Sequence, residues 1–210
     1  PLFKVKKGKK DIYLKDEEAL QEFLVDKAVD ETDLYASASK KIESGKFKEL
    51  FKFYNGFQSA ISHPSVSLDQ DILISMLISE EFPSSPSVEI VKKWIKAFLK
   101  NIEQKKGVTW KATIDEKNKQ SILVERSEYG HSSFSIIPFS FFKSNQTTPY
   151  KIIKSYKKSL KDLKLKTSYL VISEEKIKIE DFLKPFKKLM DSTRKGLSLQ
   201  RYKGLGEMNP

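Results

Sequence analysis

The stretch Gln200-Arg201-Tyr202-Lys203-Gly204-Leu205-Gly206-Glu207-Met208-Asn209-Pro210 is the most informative in this 210-residue chain. Its first residues continue an alternation that begins at Leu197-Ser198-Leu199 and predicts a strand. The strand runs into a Gly-x-Gly loop beside two cations. Glycines at positions 204 and 206 allow the backbone to approach a bulky anion such as phosphate. Because strand side chains alternate with period two, Arg201 and Lys203 are expected on one face. Taken alone the pattern is weak, and a plain structural turn is the simpler reading.

Upstream of this stretch, a helix is expected from about Glu180 to Arg194, through Phe182, Leu183, Phe186, Leu189 and Met190. Pro185 either kinks it or sets its start. Tyr169-Leu170-Val171-Ile172 reads as a short strand, and residues 149–163 as a helix carrying Ile152, Ile153, Tyr156 and Leu160. Thr109 to Ile114, Ser121 to Arg126 and Ser133 to Ile137 read as strands, with Asp115 to Lys119 and Tyr129-Gly130 as the turns between them.

Three helices precede those strands. The first starts at Gly45, places Phe47, Leu50, Phe51, Tyr54, Phe57 and Ile61 at helical spacing, and stops at His63-Pro64. The second is capped by Ser67, passes through Leu68, Ile72, Met76 and Leu77, and is halted by Pro83 and Pro86. The third is capped by Ser87, runs through Val88, Val91, Ile95, Phe98, Leu99 and Ile102, and closes at Gly107. Trp94 lies off the centre of that stripe and is expected to meet another element. At the start of the chain, Leu2 to Val5 and Ile12 to Leu14 flank a Gly8-containing turn as a hairpin, and Asp16 caps a helix with Ala19, Leu20, Phe23 and Leu24 on its apolar face. Residues 27–43 are ambiguous, with Asp33 to Ala36 a candidate strand.

Composition excludes several function classes. Hydrophobic residues make up 39% of the chain and charged residues 32%, the profile of a soluble globular protein. No apolar stretch approaches the ~18 residues of a membrane span. With no cysteine, disulfides and thiolate metal sites are ruled out, and a reducing cytoplasm fits. His63 and His131, the two histidines, are far apart and make a poor metal centre. Pro1-Leu2-Phe3-Lys4-Val5, without an initiator Met, reads as the middle of a longer polypeptide. The net charge of +11 invites a nucleic-acid partner. Yet only Arg126, Arg194 and Arg201 among 39 basic residues are arginine, and a Lys- and Ile-rich composition also follows from an AT-rich genome.

The terminal string is similar to the Arg-Tyr-Lys-Gly-Leu-Gly-Glu-Met signature of type IIA topoisomerase B subunits. Pro1-Leu2-Phe3-Lys4-Val5-Lys6-Lys7-Gly8-Lys9 resembles the same family's segment just after its metal-binding half, where a hairpin precedes a helix like Asp16 to Leu24. Residues between the two matches are absent from shorter members, including the topoisomerase IV counterpart. A large insertion at this place resembles the gyrase B branch found in many Gram-negative bacteria. The expected fold is therefore α+β (mixed α/β): residues 1–26 and 196–210 as the two ends of an interrupted Toprim subdomain, pairing near one another, and residues 27–195 as a helix-rich insert lobe.

The resemblance implies a parent DNA topoisomerase that hydrolyses ATP, supercoils DNA negatively in the cytoplasm, and works with a gyrase A protein that supplies the attacking tyrosine. In it, Mg²⁺ is held by acidic residues of motifs upstream of a segment like Pro1-Leu2-Phe3, and ATP by a separate domain. This chain has no Glu-Gly-Asp-Ser, no Asp-x-Asp-x-Asp and no ATP-binding loop, since Ser44-Gly45-Lys46 lacks the upstream glycine. No cofactor or metal residue is therefore assigned to it, and the piece is expected to be inactive by itself. Asp69-Gln70-Asp71 is read as complementing a helix dipole. By resemblance, Arg201, Lys203, Gly204 and Gly206 face duplex DNA, the alternative being an internal Arg201–Glu207 pair. The insert is read as a docking and buttressing module. Its lysines Lys92, Lys93, Lys96 and Lys100, with Lys105 and Lys106, form either a DNA-contact face or a merely solvated one, with Glu89–Lys93 as an ordinary pair. The competing assignments are the B component of topoisomerase IV and a free-standing basic nucleic-acid-binding protein.

Overall fold

Strands β1 (Leu2–Lys7) and β2 (Lys10–Leu14) form the expected hairpin. Gly8 makes its turn at a φ of +62°, where a side chain would be strained. Phe3 and Val5 are buried on one face of β1, while Lys4 on the other face holds Asp11 at 2.9 Å. Asp16 then caps α1 (Glu17–Asp30), its Oδ1 accepting the Ala19 N–H at 2.8 Å, and Leu20, Leu24, Val25, Ala28 and Val29 line the buried face. Helix α1 consumes the start of the ambiguous stretch, and the candidate strand there is β3 (Thr32–Ser37), followed by β4 (Lys40–Lys41) and the long α2 (Ser44–Ser62).

A computed structural model describes residues 2–63, 67–143 and 149–207. The chain divides into two units, Pro1–Tyr54 with Ser159–Pro210, and Asn55–Lys158. The expected helix stop at Pro64 and the signature's Met208, Asn209 and Pro210 lie outside the described residues.

The first unit is completed by β8 (Tyr169–Ile172), β9 (Glu175–Lys178), α7 (Lys184–Lys195) and β10 (Ser198–Tyr202). Its first sheet has the order β10-β1-β2, so the two ends pair as expected: β10 runs antiparallel to β1 from Leu2↔Tyr202 to Lys6↔Ser198. Its second sheet has the order β4-β3-β8-β9. Phe51 stacks on Tyr54 at 5.5 Å and tilts against Phe186 of α7 at 6.4 Å, which anchors that helix on its apolar side. Pro185 sits in the first turn of α7 and so sets its start, later than the expected Glu180. Asp181 Oδ1 accepts the N–H groups of Leu183 and Lys184 just ahead of it. Strand β9 has no counterpart among the elements expected from the sequence. Its turn residues Ser173 and Glu174 both adopt positive φ, +47° and +69°, without the Gly or Asn that usually marks such a hairpin.

The second unit contains α3 (Gln70–Ser75), α4 (Val88–Asn101), a meander of β5 (Val108–Ile114), β6 (Ser121–Glu128) and β7 (His131–Pro138), the short α5 (Ser140–Lys143), and α6 (Pro149–Ser159), which ends four residues before the expected Leu163. Asp69 rather than Ser67 caps α3, accepting the Asp71 N–H at 2.7 Å. Ser87 caps α4 as expected, at 3.3 Å from the Ile90 N–H. Helix α4 ends at Asn101; Gly107, at φ +77°, leads into β5 instead of closing the helix. The Tyr129-Gly130 turn is present, with φ +47° and +85°. Trp94 meets residues outside its helix, as expected: it packs edge-on against Phe82 at 5.3 Å and donates its indole N–H to the Glu80 carbonyl at 3.0 Å, while stacking on Phe98 of its own helix at 4.9 Å.

Candidate nucleic-acid interface

The β10–β1 ladder holds Arg201 opposite Phe3. The guanidinium lies 5.9 Å from the Phe3 ring centroid, a cation over a ring face, while the side chain remains exposed. The ladder ends at Leu2↔Tyr202, so Lys203 has no strand partner and falls in the bend that follows. Lys203 therefore lies beyond the strand whose alternation the same-face expectation assumes. Both cations are exposed, and among the described residues no carboxylate forms an ion pair with either.

Glu207 does not form the alternative pair with Arg201. Its Oε2 accepts the Lys203 backbone N–H at 2.8 Å, and its own N–H donates to the Gly204 carbonyl at 3.2 Å. These two bonds close the loop over a single 3₁₀ turn, Leu205–Glu207. Gly204 and Gly206 are exposed, neither has a positive φ, and a Cβ built on either meets nothing within 4 Å. Among the described residues, neither backbone conformation nor packing calls for glycine at these two positions.

Residues 34–193 match the family described as the DNA gyrase B subunit insert domain, and residues 1–29 match the GyrB hook. The chain belongs to the DNA gyrase B family. Relatives align over its whole length: the gyrase B protein of Rickettsia bellii at 28% identity, the type 2 topoisomerase B protein of Aquifex aeolicus at 26%, and the gyrase B protein of Helicobacter pylori strain 26695 at 26%. The chain spans about a quarter of each, 26%, 25% and 24% respectively. Among the described residues, no helix is long and apolar enough to cross a membrane.

Elsewhere in this gyrase B segment, the acids that share Asp-x-Asp spacing are already engaged. Asp69 caps α3, and both oxygens of Asp71 hold Lys105 Nζ at 2.7 Å. Among the described residues no three His, Asp or Glu side chains gather as a metal would require. Among the described residues, Asp69 and Asp71 are thus not disposed as a pair of Mg²⁺ ligands. Ser44-Gly45-Lys46 opens α2 and makes no phosphate loop. The Lys105–Asp71 pair also withdraws Lys105 from the lysine face, whereas Lys92, Lys93, Lys96 and Lys100 stand exposed on α4. Glu89–Lys93 does not form an ion pair in the structure.

One cluster was invisible in the sequence. Arg126 pairs with Glu128 at 2.6 Å, approaches Asp69 at 3.8 Å and lies 5.8 Å from the Trp110 ring, tying the cap of α3 to the β5–β6 hairpin. Its guanidinium is held even further above its ordinary range by the Glu128 hydrogen bond. The one available signal was an arginine where nearly every other cation is lysine.

Proposed function

We propose that this segment of gyrase B is a non-catalytic module that contacts duplex DNA through the loop after β10 and buttresses the parent protein through its insert. The carrying observation is the pair of glycines at 204 and 206, which nothing among the described residues requires, beside two exposed cations. Glycine there leaves room for a phosphate to reach the backbone, and Arg201 and Lys203 supply the charge. Glu207 on the Lys203 N–H occupies one of the donors an incoming phosphate oxygen would take, so binding would shift that carboxylate.

In this reading the parent enzyme supercoils DNA with ATP in the cytoplasm, in an assembly with a gyrase A protein, and Mg²⁺ and ATP are held by other parts of the polypeptide. The segment itself cleaves no DNA and hydrolyses no ATP. Replacing Arg201 and Lys203 together by alanine should weaken duplex binding and reduce the slope of log K against log salt by about two, since each phosphate contact contributes ~0.9. Unchanged affinity and slope would remove the phosphate-facing role. Deleting the insert from the whole gyrase B protein tests the buttressing role, with full supercoiling activity as the outcome that rejects it.

A further inference from the structure

We infer that the outer face of α4, carrying Lys92, Lys93, Lys96 and Lys100, is a second contact site for the phosphate backbone of duplex DNA. This rests on the reading of the chain as a DNA-contacting part of gyrase B. All four side chains are exposed on one face of a helix whose opposite face, Val91, Trp94, Ile95 and Phe98, is buried. They are therefore held by a packed scaffold rather than carried on a loop.

None of the four has an ion-pair partner among the described residues. That differs from α2, where Lys48 meets Asp26 at 2.5 Å and Lys52 meets Glu22 at 3.3 Å. It also differs from α7, whose Lys188 is held by Glu175 at 3.0 Å and whose exposed cations are interrupted by Asp191. On α4 the like charges sit at i,i+4 (Lys92–Lys96 and Lys96–Lys100), a spacing that destabilises a helix unless an anion comes between them. Helix polarity accounts for Lys100, in the last turn, and for none of the others.

Ala97 is exposed between the lysines, and Glu89, in the first turn, is the single acid on the helix, leaving a net charge of +3 on this face. The cluster from Lys92 to Lys100 spans about 12 Å at the helical rise of ~1.5 Å per residue. Duplex DNA presents roughly seven charges over that length, at one per ~1.7 Å of axis. The face offers no aromatic ring and no amide side chain, so it can follow a backbone but cannot stack on or read bases. That chemistry selects a duplex of any sequence.

The experiment compares four forms of the 210-residue chain on a 30-base-pair duplex of arbitrary sequence across a salt series. They are the native chain, Lys92→Gln/Lys93→Gln/Lys96→Gln/Lys100→Gln, Arg201→Ala/Lys203→Ala, and a charge-matched control with glutamine for Lys9, Lys10, Lys117 and Lys119. The α4 variant should bind on the order of tenfold or more weakly, with a slope reduced by about three to four. Its melting temperature should be equal or higher, because repulsion has been removed. The control should change little. An α4 variant matching the native chain, or a control losing as much as the α4 variant, overturns the proposal. Poly-glutamate competing as well as DNA does the same, by assigning the face to an acidic protein. If only the Arg201/Lys203 variant loses affinity, the α4 site fails while the functional reading stands. Loss in the α4 variant alone removes the loop after β10 and leaves α4 as the contact. No duplex binding by the native chain defeats both.

Discussion

At the residue scale, stability depends on a few buried polar groups whose partners lie outside their own element. Ser168 is fully buried; its Oγ donates to the Ala36 carbonyl at 2.8 Å and accepts the Lys164 N–H at 2.8 Å. Ser168→Ala strands both partners and should cost about 1–3 kcal/mol, read as a lower urea midpoint at unchanged m. Tyr150 is a second case. Burial pushes its phenol above the ordinary tyrosine range, and the Phe82 N–H donated to its oxygen at 3.4 Å only partly offsets this. Because the folded value is raised, the associated stability is complete below about pH 10, the unfolded value, and is lost as pH climbs through the folded one. Tyr150→Phe should remove one late-ionising group from an alkaline absorbance titration. The Ser168–Ala36 and Tyr150–Phe82 bonds cannot be read in sequence, since their partners are far along the chain; Ser168 and Tyr150 simply look like ordinary polar and aromatic residues.

At the element scale, caps and turns decide where each element begins. Both Ser67 and Asp69 precede the apolar run of α3, and the pattern alone cannot choose between them. The structure selects Asp69 because its carboxylate reaches the Asp71 N–H while Arg126 approaches it from the neighbouring hairpin. Asp69→Ala should therefore destabilise by about 1 kcal/mol, as should Ser87→Ala at α4, whereas Ser67→Ala should be neutral in the same denaturation assay. The start of β5 is under tighter control. Gly107 combines φ +77° with a Cβ direction blocked by the Tyr129 ring at 2.6 Å. Gly107→Ala should cost more than about 1 kcal/mol, on the order of other forced left-handed residues. Adding Tyr129→Ala should recover the steric part and leave the backbone part, a positive coupling that a double-mutant cycle measures. Helix positions and the Gly-containing turns were legible because they rest on local period and φ preference. Strand β9 was not, because its turn uses Ser173 and Glu174.

At the scale of the whole molecule, β10 is the return strand that completes the first sheet. It covers one edge of β1, with Val5 opposite Leu199 and Phe3 opposite Arg201. Removing residues 198–210 should expose that edge. Hydrogen exchange should then accelerate at the β1 amides, while the β5–β6–β7 meander, in the other unit, keeps its protection. Equal loss of protection in both units would show that the two do not open independently.

The sequence alone determined the family, through an eleven-residue terminal string and the hairpin–helix start, and it determined most helices and the three-strand meander. Those are local properties: apolar period, cap chemistry and turn residues act within a few positions of one another. Only the tertiary structure decided which lysines are neutralised and which are left exposed, and that Glu207 binds the loop backbone rather than Arg201. Ion pairing depends on charges brought within a few ångströms by packing, and residues remote in sequence supply most of those neighbours.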